Sequence, residues 1–342
     1  MSGIPETMRA SVLLGARNLE VQQRPVPQPA ADEVLIRVTS VGVCGSDVHF
    51  YEDGRLGDWL VKEPLVLGHE SGGEIVAVGS DVSASRVGSR VSIEPQKPSP
   101  LSAETLRGQY NLDPAMEFYA VPGTDGAFQE YVTIQSHFAY DISDSISDDA
   151  AGLMEPLSVA LASVEKAGVG LGDRVFISGA GPIGLIIAQV LRASGVSEIF
   201  ISDVDTQRRS AATSFGATAT IDPATDDVAG LGVDAFLDAS GAQPAVASGI
   251  SSVRPGGRVV LVGMGAQDMK MPVSMIMNRE LWVTGVFRYV NTWPTAIKLV
   301  ESGAVDLDGL VTGRFGLSEV EAAFESTKQP GTLKSVVLPT RE

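Results

Sequence analysis

Among 342 residues there is one cysteine, Cys44. A lone thiol closes no intramolecular disulfide, which excludes a disulfide scaffold. Imidazoles are also scarce: only three histidines, His49, His69 and His137, are available for metal or proton chemistry. Bases are outnumbered, 25 Lys and Arg against 42 Asp and Glu, for a formal net charge of −17. That balance points to a solvated acidic surface and argues against a nucleic-acid or anionic-membrane partner. Long apolar runs are missing as well. The most apolar run near the glycine motif discussed below, Pro182–Leu191, is too short to span a bilayer. The opening MSGIPETMRASVLLGAR lacks a basic region followed by a long apolar stretch. No signal peptide is expected, and a cytoplasmic location is the default expectation.

What is present falls into two textures. From Arg9 to about Val132, short apolar or alternating runs such as Glu33–Val41, Gly73–Val78 and Arg90–Glu94 are broken by Gly, Pro and Asp. That pattern predicts a mostly antiparallel, barrel-like β domain. From about Val159, strands and helices alternate. Strands are expected at Arg174–Ser178, Glu198–Ser202, Val233–Leu237 and Arg258–Val262, with helices at Gly181–Ala193 and Asp205–Phe215 and a further helical stretch reaching Val253. Such alternation predicts a parallel, doubly wound α/β sheet. Toward the end, Trp293–Ser302 reads as a helix and Lys334–Leu338 as a strand that rejoins the first domain. The expected division is a β domain over 1–157 and 290–342 and a nucleotide-binding domain over 158–289. No internal repeat or low-complexity linker interrupts it.

Gly179-Ala180-Gly181-Pro182-Ile183-Gly184 is a GxGxxG, weak alone in a chain with 37 glycines. Its context gives it weight: it follows the strand RVFIS and opens an apolar helix. The first glycine allows a tight turn, the second a close approach of a pyrophosphate, and the third close packing of helix on strand. The helix N-terminus stabilises the phosphate charge. Asp203 ends the next strand, where a carboxylate accepts from ribose hydroxyls and repels a 2′-phosphate. NAD is therefore favoured over NADP, although Arg208 and Arg209 nearby can soften that exclusion.

Cys44, in Gly-Val-Cys-Gly-Ser-Asp-Val-His49, is followed by Gly68-His69-Glu70 and by Met154-Glu155-Pro156. A thiolate, an imidazole and one or two carboxylates can hold a catalytic zinc with one position open. Linear spacing does not bring them together, and each residue alone also suits a core or surface role.

Taken together, Cys44-Gly-Ser-Asp-Val-His49, Pro64-Leu-Val-Leu-Gly-His69-Glu70, Glu155-Pro-Leu-Ser-Val and GAGPIG, in this order, resemble the zinc-dependent medium-chain dehydrogenases. Tyr51-Glu-Asp-Gly-Arg-Leu-Gly, Tyr110-Asn-Leu, Gly285-Val-Phe-Arg288-Tyr289 and Asn291-Thr-Trp-Pro narrow the resemblance to the sorbitol/xylitol dehydrogenase branch. It covers essentially the whole chain. It implies a Rossmann domain beside a GroES-like β domain, one catalytic zinc per subunit, NAD, and a homodimer or homotetramer. Leu281–Val286 is a candidate interface edge, though an internal strand reads the same way.

By the same resemblance, Cys44, His69 and Glu70 hold the zinc, with Glu155 as a fourth carboxylate acting directly or through a water. Cofactor contacts are expected from Gly179, Gly181, Pro182, Ile183, Gly184, Asp203, Arg208, Val262, Val286 and Arg288. Ser46, Tyr51, Glu155, Arg288 and Tyr289 are expected to meet a polyol such as sorbitol, xylitol, ribitol or galactitol. Ser46 and His49 are expected to carry its proton to solvent, and His137 to be structural. The metal would lower the hydroxyl pKa and NAD would take the hydride. The expected site is the cleft at the C-terminal ends of the sheet strands. Many relatives carry a second zinc held by four cysteines. Ser99, Ser102, Thr105 and Asp113 stand there instead, a poor donor set for zinc. No structural zinc is expected, and hydrogen bonds and packing must hold the loop. Alternatives are a butanediol or threonine dehydrogenase of the same superfamily, a zinc-free NADPH reductase, and a non-catalytic nucleotide-binding protein. Cys44 with His69-Glu70, and Asp203, argue against the second.

Overall fold

Apolar strands flanked by turn residues build two units, seen in a computed structural model that describes residues 3–341. One unit runs up to Glu155 and resumes at Leu307; the other is Pro156–Asp306. The boundary falls inside the helix Met154–Ala167 and, on return, at Leu307 rather than at residue 290. The helix Trp293–Glu301 accordingly belongs to the second unit, where Asp306 also exchanges hydrogen bonds with Gln189. The described residues contain no helix long and apolar enough to cross a membrane.

In the first unit a seven-stranded sheet runs Ala139–Asp141, Arg90–Ile93, Glu70–Val78, Glu33–Gly42, Lys334–Leu338, Val311–Gly316. Tyr131–Gln135 also pairs with Glu33–Gly42. Only the last pair, Val311–Gly316 with Lys334–Leu338, is parallel. Alternation drives the burial: Val34, Ile36, Val38, Ile75, Val91 and Ile93 enter one core with Phe50, Phe128 and Phe324. The register places Gly42 opposite Glu70 and seats Lys334–Leu338 beside Val41–Gly42. This pairing brings residues from three distant parts of the chain onto adjacent strands of one sheet.

A loop is fastened to this unit by a buried carboxylate. Glu94 accepts from Tyr110 Oη at 2.7 Å, Gln96 Nε2 at 3.0 Å and Tyr140 Oη at 3.1 Å. Burial raises its pKa to about 7, against the opposing pull of these donors.

The second unit is a parallel sheet in the order Ala219–Ile221, Glu198–Ser202, Arg174–Ser178, Val233–Asp238, Val253–Leu261, Trp282–Gly285. All its pairings are parallel. Central strands are covered on both faces, so they read as continuous apolar runs; Val175, Ile177, Ala235 and Leu237 are fully buried. Phe176 and Phe236 stack at 5.4 Å. Strand order reverses between Arg174–Ser178 and Val233–Asp238, the topological switch point at which such sheets bind nucleotides. This is the Rossmann architecture expected from the alternating pattern. The short strand Ala219–Ile221 and the helix Val273–Asn278 carried too little periodicity to be read beforehand.

Candidate active site

Cys44 caps the helix Gly45–Asp53 just after Glu33–Gly42, while His69 and Glu70 lie at the start of Glu70–Val78. The structure brings these three together: one ligand atom from each lies within 4.8 Å of the others. His69 and Glu70 are buried and Cys44 is half-buried. Asp47, completely buried, organises the group. Its Oδ2 accepts from Cys44 N at 3.0 Å, its Oδ1 from Gly68 N at 3.0 Å, and Oδ1 lies 3.5 Å from His69 Nδ1. That contact leaves Nε2 as the His69 nitrogen for a metal. Burial pulls the His69 pKa down, but the Asp47 carboxylate and the Cys44 sulfur together push it well above its ordinary value.

Glu70 is held from two sides. A Cβ at Gly42 would lie 2.0 Å from Glu70 Oε2, so only glycine admits the carboxylate there. Lys334 Nζ donates to Glu70 Oε1 at 2.7 Å and to the Val43 carbonyl at 2.7 Å, and stands 2.6 Å from Oε2. Oε2 is buried and receives no aligned hydrogen bond, so it keeps lone-pair capacity for a cation. One soft thiolate, one imidazole and one carboxylate suit zinc and leave a fourth position open. Glu155 is buried but lies outside the group of three. Burial works against the Lys334 charge, but Glu70, Cys44 and Glu155 more than compensate and raise its pKa.

The other expected residues differ in exposure and contacts. Ser46 is half-buried on the helix's first turn. His49 faces solvent with Nδ1 3.6 Å from Asp53 Oδ2, and no hydrogen bond joins it to Ser46 among the described residues. Tyr51 turns into the core, 2% exposed, against Phe324. Its hydroxyl donates to Glu321, and burial together with that carboxylate raises its pKa to about 12. The helix phase aims Tyr51 inward, and Phe324 and Glu321 hold it there. His137 stacks on Phe138, and burial lowers its pKa. In the cysteine-free loop, Asp113 accepts from Ser99 N at 2.5 Å and Ala115 N at 3.0 Å. Ser102 Oγ accepts from Thr105 N at 3.1 Å and donates to Thr105 Oγ1 at 2.8 Å.

The glycine motif sits at the switch point of the second unit. Gly179 has φ +96° and would place a Cβ 3.1 Å from the Ala239 carbonyl group. At Gly184 a Cβ would lie 1.9 Å from Gly179 O. Gly181 caps the helix Pro182–Ala193 and has open space where its Cβ would be, a cradle suited to a pyrophosphate. Asp203 accepts from Ala180 N and Asp205 N, both at 2.8 Å. Arg209 is committed to the Asp203 carbonyl and Asp222, while Arg208 is half-buried nearby. Val262 and Val286 donate backbone bonds to Asp238 O and Leu261 O at strand ends. Arg288 has φ +57° and lies over Phe287, with Cζ 4.7 Å from the ring centroid. Tyr289 packs edge-on against Trp293 and is 1% exposed.

Sequence reasoning missed Asp47 and Lys334 as site residues. Asp47 lay inside the quoted Cys-Gly-Ser-Asp motif; Lys334 carried no local signal.

The alcohol dehydrogenase GroES-like family model matches residues 30–144, and the zinc-binding dehydrogenase model residues 182–302. The chain is 38% identical over 330 residues to sorbitol dehydrogenase of Gallus gallus, covering 94% of this chain and 93% of that protein. It is 37% identical over 349 residues to sorbitol dehydrogenase of Bacillus subtilis (strain 168), covering 99% of each. Among solved structures, L-idonate 5-dehydrogenase from Escherichia coli superposes with TM-score 0.92 at 27% identity, over 97% of this chain and 98% of that one. An E. coli CFT073 protein described as a short chain alcohol dehydrogenase, solved with NADH, gives TM-score 0.92 at 26% identity over 98% and 100%. Near-complete coverage at such identity, on a fold that joins a thiolate–imidazole–carboxylate cluster to a nucleotide-binding sheet, establishes that the chain belongs to the zinc-binding alcohol dehydrogenases, in company with the sorbitol dehydrogenases.

Proposed function

We propose that the protein oxidises a secondary hydroxyl of a polyol to the ketone, with zinc and NAD as cofactors. The observation that carries this reading is the convergence of Cys44, His69 and Glu70, one ligand atom from each lying within 4.8 Å of the others. Cys44, His69 and Glu70 would hold the zinc, which would supply Lewis acidity to lower the pKa of the substrate hydroxyl, and NAD would be the hydride acceptor. Ser46 Oγ takes the hydroxyl proton outward, and the exposed His49, beside Asp53, hands it to solvent. Asp47 orients His69, and Lys334 orients Glu70. Glu155, Arg288 and Tyr289 supply polar contacts to the remaining hydroxyls, since a hydroxyl-rich substrate needs several buried partners. Gly179, Gly181, Pro182, Ile183 and Gly184 cradle the pyrophosphate. Asp203 takes the adenosine ribose, which favours NAD over NADP, and Arg208, Val262, Val286 and Arg288 complete the cofactor site.

We further propose that the protein is a homo-oligomer joined through Trp282–Gly285. This strand ends the parallel sheet, all four residues are exposed, and Trp282 is 70% exposed. An unpaired apolar edge of this kind is satisfied by the same strand of a second copy across a two-fold axis. Light scattering on the native protein checks it, and a monomer at micromolar concentration overturns it.

The function is tested by NADH formation with NAD and a panel of sorbitol, xylitol, ribitol, galactitol, butanediol and threonine, before and after chelation. Turnover of polyols that chelation abolishes and zinc restores is the expected result. Cys44→Ser should lose zinc and activity together; a fully active, zinc-free Cys44→Ser protein overturns the reading.

A further inference from the structure

Asp238 ends the strand Val233–Asp238, is 1% exposed, and lies on the far side of the switch point from Asp203. Its Oδ1 accepts from Ser178 Oγ at 2.7 Å, Ser240 Oγ at 2.7 Å, Ser240 N at 3.1 Å and Gly241 N at 3.3 Å. Gly241 N also reaches Oδ2 at 3.1 Å. Every partner is a donor, which is the environment of a charged, acceptor-only carboxylate. No Lys, Arg or His pairs with it among the described residues. Its backbone carbonyl receives Val262 N at 2.9 Å and Gly263 N at 2.8 Å. One residue therefore ties together the ends of three adjacent strands and the loops that follow two of them.

Those loops touch backbone to backbone. A Cβ at Gly263 would lie 2.2 Å from Gly241 N, and one at Gly265 would lie 2.0 Å from Gly241 O. A dinucleotide crosses the switch point at the carboxyl ends of the strands. With its adenosine ribose at Asp203, its other half lies over the ends of Val233–Asp238 and Val253–Leu261, the loops that Asp238 holds.

We propose that Asp238 positions the nicotinamide half of the cofactor and that its uncompensated buried charge favours the cationic, oxidised nicotinamide over the neutral, reduced one. The inference rests on the NAD reading above. A fixed anion in a low-dielectric site acts over several ångströms, and the two redox forms differ by one charge at the ring. The preference therefore belongs to the ring half of the cofactor, and a ligand that lacks the ring does not sense it.

The test measures dissociation constants of oxidised NAD, NADH and AMP for the zinc-loaded protein, by nicotinamide fluorescence and competition. Asp238→Asn removes the charge while keeping the shape. It is expected to weaken oxidised NAD relative to NADH by about 3- to 15-fold, with AMP unchanged. Ser240→Ala removes a donor but keeps the charge, so it retains the preference. Equal weakening of both redox forms in Asp238→Asn, or a lost preference in Ser240→Ala, overturns the charge assignment. Should Asp238→Asn not fold, Asp238→Ser, which also removes the charge, is read in the same way. Failure of the wild-type protein to bind any of the three overturns the NAD reading along with this one. Binding of AMP and NADH with an unshifted ratio of oxidised NAD to NADH in Asp238→Asn overturns this inference alone.

Discussion

Replacing Lys334 with Met leaves the Glu70 carboxylate buried without its counter-charge. The two side chains are 6% and 2% exposed, and Nζ meets both carboxylate oxygens at 2.6 and 2.7 Å. Removing one partner of such a pair costs about 3–5 kcal/mol, mostly through the stranded charge. For a unit of this size, about 2–4 °C of melting temperature accompanies each kcal/mol, so the metal-free variant should melt roughly 6–20 °C below metal-free wild type. Zinc changes the outcome, because a cation at Cys44, His69 and Glu70 supplies the charge that lysine no longer provides. In the zinc-loaded state the deficit should shrink to about 1 kcal/mol, the level of a lost ordinary hydrogen bond. Calorimetry of both proteins, with chelator and with saturating zinc, reads all four melting temperatures. A metal-free Lys334→Met protein within about 2 °C of wild type, or a deficit that zinc leaves unchanged, refutes the reasoning.

Gly42→Ala should abolish zinc binding in a chain that still folds, since the new Cβ would sit 2.0 Å from Glu70 Oε2; metal content after dialysis checks it. Asp47→Asn should lower zinc affinity about 10- to 100-fold, because His69 loses the carboxylate that orients it; competition with a chromogenic chelator measures this. Glu94 should make the first unit less stable as pH rises. Its folded pKa of about 7 lies above the ordinary glutamate value of 4.5, so the folded state holds the proton longer. Stability from this group is fully present below pH 4.5 and is lost as pH rises through 7, by roughly 3 kcal/mol. Glu94→Gln should flatten that profile in urea unfolding between pH 5 and 8; an unchanged slope counts against it.

Much of the second unit is legible in the sequence. Strands buried on both faces produce apolar runs that announce themselves, and Arg174–Ser178 and Glu198–Ser202 fall where the pattern put them. The glycine motif was legible for a related reason, since a turn, a cradle and a tight contact each exclude a side chain locally. The inward turn of Tyr51 was not legible because a short polar helix such as Gly45–Asp53 carries little apolar phase to say which face turns inward. The return to the first unit at Leu307 was hidden because a helix such as Trp293–Glu301 packs equally well on either unit as far as its own residues show.

The metal site divides along the same line. Sequence by itself determined which donors exist, because one cysteine and three histidines leave few choices, and it determined the cofactor turn, because backbone sterics act between neighbours. Tertiary structure alone decided that Lys334, 264 positions from Glu70 along the chain, becomes its counter-ion. It likewise decided that Gly42 makes room for that carboxylate. Charge pairing and close approach depend on distance in space, and strand register sets that distance with no trace in the residues beside either partner.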